Sequence, residues 1–446
     1  MQTGRTAKTY MPTSLRGIAN RARKDPAAQF GDLSGLLSVQ NLHWCFHQLR
    51  KKAACGVDGV TFEQYERNLD ENLEGLVERL KKGTYRAKLV RRKNIPKGNG
   101  KTRSLGIPVL EDKLVQLAVA KILTAIFDGD FSENSWGYRK GRGAREASRV
   151  LANTVFHGRF GWVVEADIKG FFTNLDHDWM VTMLSERVKD RPFVRLIQKW
   201  MKAGVLEEDG TVLHPATGTP QGGIISPVLS NIYLHYVLDL WFENVVKKRC
   251  KGEAMIMRYA DDFVCAFEYE EEAKRFLESL EKRLGKFHLE VAPDKTRMLR
   301  FSRSNEEPNE AFEFLGFEFR WVRSRKGKMW VRRRTSPKKL RASIAAFTEW
   351  IKKNRHLPIK ITMRKVAQKL RGYWNYYGVI GNMKSLSVLN RACSKLLFKW
   401  LNRRSQKRSY NWRGFNKMCE HFGWPSPRIV ETINRQQEFR WTASAT

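Results

Sequence analysis

Two adjacent carboxylates, Asp261 and Asp262, stand between Met255-Ile256-Met257-Arg258 and Phe263-Val264-Cys265-Ala266-Phe267. Both flanks have the length and apolar character of short strands, so the pair is expected at the turn of a hairpin. Like charges this close repel and raise each other's pKa, and a cation between them removes the repulsion. Carboxylate oxygens are hard ligands that suit magnesium. A second strand-like run, Trp162-Val163-Val164-Glu165-Ala166-Asp167-Ile168, ends in an acid just before Lys169-Gly170-Phe171-Phe172 and can bring a third carboxylate to the same place. Three acids on neighbouring strand ends fit two-metal phosphoryl transfer, in which ions about 3.5–4 Å apart bridge the attacking and leaving oxygens.

Taken alone, an Asp-Asp pair is ordinary turn chemistry, because short polar side chains hydrogen-bond to their own backbone there. The rest of the chain changes that reading. Gly218-Thr219-Pro220-Gln221-Gly222-Gly223 is a glycine-rich bend that lets backbone approach a nucleotide closely, and it feeds Val228 to Leu234, whose periodicity suits a helix packed on a sheet.

With Asp167, Gln221-Gly222-Gly223 and Tyr259-Ala260-Asp261-Asp262 in that order, the chain resembles a reverse transcriptase, specifically the group II intron reverse transcriptase/maturase family. Further blocks carry the likeness in family order: Gly56-Val57-Asp58-Gly59, Ile95-Pro96-Lys97 with Arg103 to Pro108, Trp136 to Arg142, Ala292 to Arg297, Phe314 to Phe317, and Leu370 to Tyr377. Ser104 stands where the family pattern usually has Pro. The resemblance implies an α/β (α+β) right-hand polymerase: fingers and palm with an antiparallel sheet, a helical thumb and a short basic C-terminal tail. It implies two Mg2+ ions on Asp167, Ile168, Asp261 and Asp262, with the three acids catalytic. It further implies nucleotide contacts from Lys97, Arg103, Gln221, Gly222 and Lys295, with Phe172 beneath the sugar to exclude a 2′-hydroxyl. Arg371, Arg403, Arg404, Lys407 and Arg408 are expected to contact nucleic acid.

The elements that must position these residues are legible in outline. A helix is expected over 39–52, another from 61 to 80, and one over 109–127; the segment 97–101 reads as a turn between strands. A sheet is expected to end in residues 312–319, and residues 335–401 read as helical with breaks at Pro358 and Gly372. The expected divisions are an N-terminal extension (1–52), fingers and palm (53–322), thumb (323–402) and a basic DNA/RNA-binding tail (403–446). Many relatives carry a C-terminal endonuclease with paired cysteines, which is not expected here.

Charge points to a polyanionic partner. The 446 residues carry a net +36 and a pI near 10.1, and such an excess favours salt-dependent binding to a nucleic-acid backbone. Residues 321–446 hold 31 Lys and Arg against 4 Glu and no Asp. Trp330, Trp350, Trp374, Trp400, Trp412, Trp424 and Trp441 are interleaved with those bases, a minority of them as stacking surfaces and most as core. The first 24 residues hold six bases and no acid, which reads as a nucleic-acid-binding arm rather than a transit peptide. Six cysteines lack metal-ligand spacing, so neither a zinc site nor a disulfide framework is expected and a reducing cytoplasm, bacterial in origin, is the natural setting. No apolar run is long enough to span a bilayer.

The expected function is an RNA-directed DNA polymerase that binds structured intron RNA, assists its splicing and copies RNA into cDNA. Its expected partners are RNA template, DNA primer or target, and dNTPs; monomer and homodimer stay open. The alternatives are a domesticated enzyme in DNA repair or phage defence, and an RNA-binding splicing cofactor whose polymerase activity is incidental.

Overall fold

The computed structural model describes residues 13–96, 102–214, 217–219, 222–303, 310–324, 326–407 and 409–432. The fingers contain a sheet of β1 (Val90–Pro96), β2 (Thr102–Ile107), β4 (Val205–Leu206) and β5 (Val212–Leu213), in the order β2-β1-β4-β5. The palm sheet joins β3 (Trp162–Asp167), β6 (Ala254–Tyr259), β7 (Asp262–Phe267) and β8 (Arg297–Arg300), in the order β6-β7-β3-β8 with every neighbour antiparallel.

Strands that are apolar at every position must be covered on both faces, and alternation decides which side chain goes where. Val164, Ala166, Ile256, Phe263 and Cys265 enter the larger core, which includes the helix Leu110–Phe127. Val163, Met255, Met257 and Val264 enter a second core with the helix Ala144–His157 and a three-stranded sheet of β9 (Phe312–Phe314), β10 (Phe317–Arg323) and β11 (Met329–Thr335). By the same alternation Asp167 and Asp262 share the second face.

The thumb packs the helices Pro337–Asn354, Ile359–Tyr377, Met383–Leu401 and Trp412–His421 around Trp374, Leu386, Leu397 and Phe415. Pro358 does separate two helices. Gly372 does not: it lies inside Ile359–Tyr377, and the chain breaks instead at Gly378–Asn382. A mid-helix glycine costs only about 1 kcal/mol, which burial of Leu370 and Trp374 on either side outweighs. The expected helix over 39–52 ends at Phe46, and the one over 61–80 divides into Phe62–Glu66 and Leu69–Lys81. The turn at 97–101 lies outside the described residues.

The expected boundary at 403 does not mark the end of packing. Phe415 and Cys419 join the thumb core, Trp424 Nε1 donates to Asn390 (2.8 Å), and Glu431 receives both Nη2 contacts from buried Arg333 at 2.8 Å. Residues 433–446, with Arg435, Arg440 and Trp441, lie outside the described residues. Among those described, no helix is long and apolar enough to cross a membrane.

The hairpin that carries the acids is pinned from beneath by Arg258, which is only 1% exposed. Its Nε and Nη2 donate to the two oxygens of Asp239 (2.7 and 2.5 Å), Nη1 to Asn231 Oδ1 (3.0 Å) and to the Ala260 carbonyl (3.1 Å), and Nη2 also to Ser135 Oγ (2.7 Å). Asp239 belongs to the helix that begins as Ser226–Leu234 and continues through the π-helical turns His235–Asp239 and Phe242–Val246. Removing one member of a buried pair leaves an uncompensated charge, which costs about 3–5 kcal/mol. Asp239→Ala is therefore expected to lower unfolding free energy by about that amount, and Asp239→Leu combined with Arg258→Met to recover part of it. Chemical denaturation of the three proteins checks this; a loss below about 1 kcal/mol in Asp239→Ala would contradict it.

Candidate active site

Asp167 ends β3 and Asp262 begins β7, and the two are directly opposite in the antiparallel register. Opposed residues on such strands have Cα atoms about 4.5–5.5 Å apart, so the two carboxylates face the same small volume. Asp261 is lifted beside them by the turn, where Ala260 takes a left-handed φ of 58°. That backbone is strained for a residue with a Cβ; the Arg258 bond to its carbonyl holds it there. From the other side Gly137 packs so closely that a Cβ on it would stand 2.3 Å from the Ala260 nitrogen.

The electrostatics follow from this crowding. Burial, then the charges of Asp167, Asp261 and Glu165, push the Asp262 carboxyl up to about 7, with Lys295 opposing. Its side chain keeps an exposed surface even though protein surrounds it on most sides, and it stands beside the cavity rather than among its lining residues. Asp261 is also raised, chiefly by burial. Lys295 Nζ forms an ion pair with Asp167 Oδ2. It reaches that position because residues 290–292 run beside the end of β3, with Lys169 N donating to the Glu290 carbonyl and Ala292 N to the Asp167 carbonyl (2.9 and 2.8 Å).

The glycine-rich bend closes the other wall. Gly218 has φ +86°, and a Cβ there would meet the Thr173 and Phe172 carbonyls at 2.6 and 2.8 Å. Thr219 N donates to the Phe172 carbonyl (2.8 Å). Gly222, at φ +116°, packs on the Gly106 carbonyl of β2, where a Cβ would stand at 2.5 Å. The bend therefore ties palm to fingers, and glycine is required at both contacts. Phe171 is buried against Tyr233, while Phe172 is half-buried and turned to the cleft.

A cavity of about 830 Å³ brings together Arg103, Asp167, Ile168, Phe172, Asp261 and Lys295. Gly222 is not among its lining residues, and Lys97, Gln221 and Arg408 lie outside the described residues. Arg371, Arg403 and Lys407 are exposed on the thumb, far along the chain from the acids. Arg404 is half-buried and donates to the Leu357 carbonyl (3.1 Å), which ties it to the loop between the first two thumb helices.

The donors fit a hard divalent cation, because the repulsion that raises Asp262 is what such an ion relieves. As the side chains stand, no three acidic, histidine or cysteine side chains among the described residues converge on one point; the Asp167 carboxylate is turned onto Lys295. Ile168, being apolar, can offer only its carbonyl.

Several residues at the site escaped the sequence reading. Arg258 looked like part of an apolar strand. Tyr138 is 56% exposed at a left-handed φ of 58°, with the charges of Asp261 and Arg103 acting on its hydroxyl. Tyr376 donates to the Leu315 carbonyl (3.0 Å) and stacks on Phe317, with the Asp262 charge acting on it. A left-handed backbone in a non-glycine residue has no local sequence signature.

Comparison with known proteins agrees with this geometry. The sequence profile described as reverse transcriptase (RNA-dependent DNA polymerase) matches residues 95–319, from β1 into β10, and that of the group II intron maturase-specific domain matches residues 338–418, the thumb helices. The Escherichia coli (strain K12) protein YkfC is 32% identical over 329 residues, covering 66% of this chain and 83% of the relative. The group II intron-encoded protein LtrA of Lactococcus lactis subsp. cremoris is 28% identical over 472 residues, 86% of this chain and 77% of the relative. A putative COX1/OXI3 intron 1 protein of Saccharomyces cerevisiae is 33% identical over 221 residues, 50% of this chain and 26% of the relative. The opposed acids, the glycine bend against β2 and the helical thumb thus belong together: this chain is a member of the reverse transcriptase family, an RNA-directed DNA polymerase joined to a group II intron maturase domain.

Proposed function

We propose that the chain extends a DNA primer on an RNA template in the cavity between β2 and the acidic turn, and that its thumb holds structured intron RNA during splicing. The observation that carries this reading is the direct opposition of Asp167 and Asp262 in the strand register, with Asp167 and Asp261 lining one cavity with Arg103 and Phe172. An RNA-binding cofactor without chemistry would have no use for that repulsion.

Asp167, Asp261 and Asp262, with the carbonyl of Ile168, would hold two magnesium ions, which when bound neutralise charge on the attacking and leaving oxygens. Arg103 projects from β2 and meets the triphosphate as a fork of donors, and Lys97 supplies a second cation to it. Phe172 packs beneath the deoxyribose, and Gln221 and Gly222 border the nucleotide and template. Lys295 screens Asp167 while no nucleotide is present, then moves to a phosphate and gives up the carboxylate. Catalysis then rests on positioning and charge neutralisation. Arg371, Arg403, Lys407 and Arg408 contact nucleic-acid phosphates on the thumb side, and Arg404 supports them from within. A bacterial cytoplasm is the setting proposed for this chemistry.

Removing one carboxylate takes away several kcal/mol of charge stabilisation. Asp261→Ala is expected to abolish primer extension on RNA while leaving RNA affinity close to that of the parent. Extension at a tenth of the parent rate or more would overturn the assignment.

Replacing the bulk under the sugar should act on discrimination alone. Phe172→Val is expected to lower the ratio of efficiencies for dNTP over rNTP by more than about tenfold, a change in relative affinities rather than in chemistry. An unchanged ratio in a folded, active variant would return Phe172 to the core.

The raised Asp262 carboxyl makes both stability and cation binding depend on pH. Its folded pKa, about 7, lies above the unfolded value near 3.8, so the folded protein binds the proton more tightly and loses stability as pH rises between those values. A bound divalent cation needs the ionised form, so binding releases a proton below neutrality and tightens as pH approaches 7. Calorimetric titration of Mg2+ in buffers of different ionisation enthalpy should find that release in the parent and its loss in Asp262→Asn. Equal release in both would remove Asp262 from the metal site.

A further inference from the structure

On the side of the palm sheet covered by the larger core, a second cavity of about 520 Å³ opens between the π-helical turn Phe242–Val246 and the helix Glu270–Gly285. It shares no lining residue with the active-site cavity. Its size falls within the range of small-ligand sites, about 300–1,000 Å³. π-Helical turns interrupt regular helices rarely and often where a function is built. Here the backbone oxygens displaced by the first of them, those of Tyr236 and Val237, are taken up by Arg283 at 3.0 and 2.9 Å, so the irregular backbone is supported by a dedicated side chain.

The lining has three chemical zones. Val245, Val246 and Phe276 make an apolar wall, while Arg249, Arg275 and Lys282 stand exposed at the rim, three bases against the one exposed carboxylate of Glu278. Glu272 is 4% exposed; its Oε1 accepts from Lys251 N and Gly252 N (2.6 and 3.2 Å), whereas its Oε2 has no partner among the described residues. A buried carboxylate oxygen without a donor is costly and calls for one from outside. An apolar slot, an orphan acceptor and a cationic rim together match one kind of ligand. The slot takes a flat base, the acceptor takes an amino group on that base, and the rim takes the flanking phosphates.

We propose that this cavity is a second RNA-binding site, which receives an unstacked nucleotide of a structured RNA, places its base against Val245, Val246 and Phe276, bonds an exocyclic amino group to Glu272, and holds the adjoining phosphates on Arg249, Arg275 and Lys282. It rests on the RNA-binding reading above and extends it from the thumb to the far side of the palm. Adenine, cytosine and guanine carry such an amino group, and uracil does not, so the site discriminates against uridine. Because it shares no lining residue with the active-site cavity, it can hold one part of an RNA while another part is copied.

Cys250 lines the same cavity and is partly exposed, which supplies a local reporter. The full chain is alkylated with N-ethylmaleimide at mildly alkaline pH, and modification of Cys250 is followed by peptide mass spectrometry. Cys55, also partly exposed and remote in the fingers, serves as internal control. Decamers of adenylate, cytidylate and uridylate, and heparin, are the probes. Adenylate and cytidylate are expected to protect Cys250 at concentrations about tenfold below uridylate, the worth of one hydrogen bond to a charged acceptor, with Cys55 unaffected. In Glu272→Gln the side-chain carbonyl still accepts from Lys251 and Gly252, so the fold is kept and the preference over uridylate should vanish. Arg275→Glu with Lys282→Glu should weaken protection by every oligonucleotide while primer extension on a short annealed template proceeds at the parent rate. Protection by heparin equal to that by adenylate, equal protection by all three decamers, or no protection where the same decamers already inhibit extension would each overturn the proposal. Extension itself reports separately on the polymerase reading.

Discussion

Holding Asp167 opposite Asp262 is unfavourable in the absence of a cation, and much of the molecule is arranged to keep that opposition from relaxing. The register of β3 against β7 fixes the pair, and a register slip of one residue would turn every core side chain of β7 to the wrong face. Covering the palm sheet on both faces is what makes such a slip prohibitive. The turn between β6 and β7 is held by the Arg258 guanidinium, which bonds to Ala260 in the turn, Ser135 in the loop, and Asn231 and Asp239 on the helix beneath. A lysine could supply the charge but not a planar fork with donors in these directions.

Backbone proximity completes the site where side chains would obstruct it. Gly137 against the Ala260 nitrogen, Gly218 against the Phe172 and Thr173 carbonyls, and Gly222 against the Gly106 carbonyl are contacts at which a Cβ would clash with main chain. Each joins a separate stretch of chain to the acidic turn or to the cavity wall. The thumb enters by another route. Leu315 and Gly316 both adopt positive φ in the turn between β9 and β10. Tyr376 donates to the Leu315 carbonyl and Tyr377 packs edge-on to Phe317. Thr335 N, at the end of β11, donates to Asn382 Oδ1 at the start of the next thumb helix (2.9 Å). Thumb and palm are therefore one packed body at this joint.

The acids, the glycine bend and the helical character of the thumb were legible because each is local: a short polar break in an apolar run, a glycine cluster, a periodicity. What could not be read depends on partners distant in the chain. Arg258 acquires its meaning from Asp239 and from Ser135, 123 residues away; within its own strand it is merely one basic residue among apolar ones. Lys295 was expected at the nucleotide, and its pairing with Asp167 is a contact across 128 residues. Gly372 carried a break signal that burial of its helical neighbours overrode. Arg404 was counted with the surface bases, yet a backbone carbonyl in another loop claims it.

The packing of residues 403–432 onto the thumb bears on function. Composition marks residues 321–446 as one basic region, and nothing in a count distinguishes an appendage from a packed segment. Trp412 stacks on Phe398 with ring centroids 3.9 Å apart, Phe415 fills the thumb core, and the chain then returns to pair Glu431 with Arg333 on β11. That pair is buried on both sides, with side chains 7% and 6% exposed, and Arg333 Nη1 also donates to Ser148 on the helix behind the palm sheet (3.1 Å). Breaking a pair so enclosed is far more costly than losing a surface contact. The segment that follows the maturase helices is consequently anchored to the same sheet that covers the catalytic strands. The basic C-terminal region and the catalytic acids are thereby referred to one rigid frame, which is the physical condition for a single chain both to grip a folded RNA and to read it.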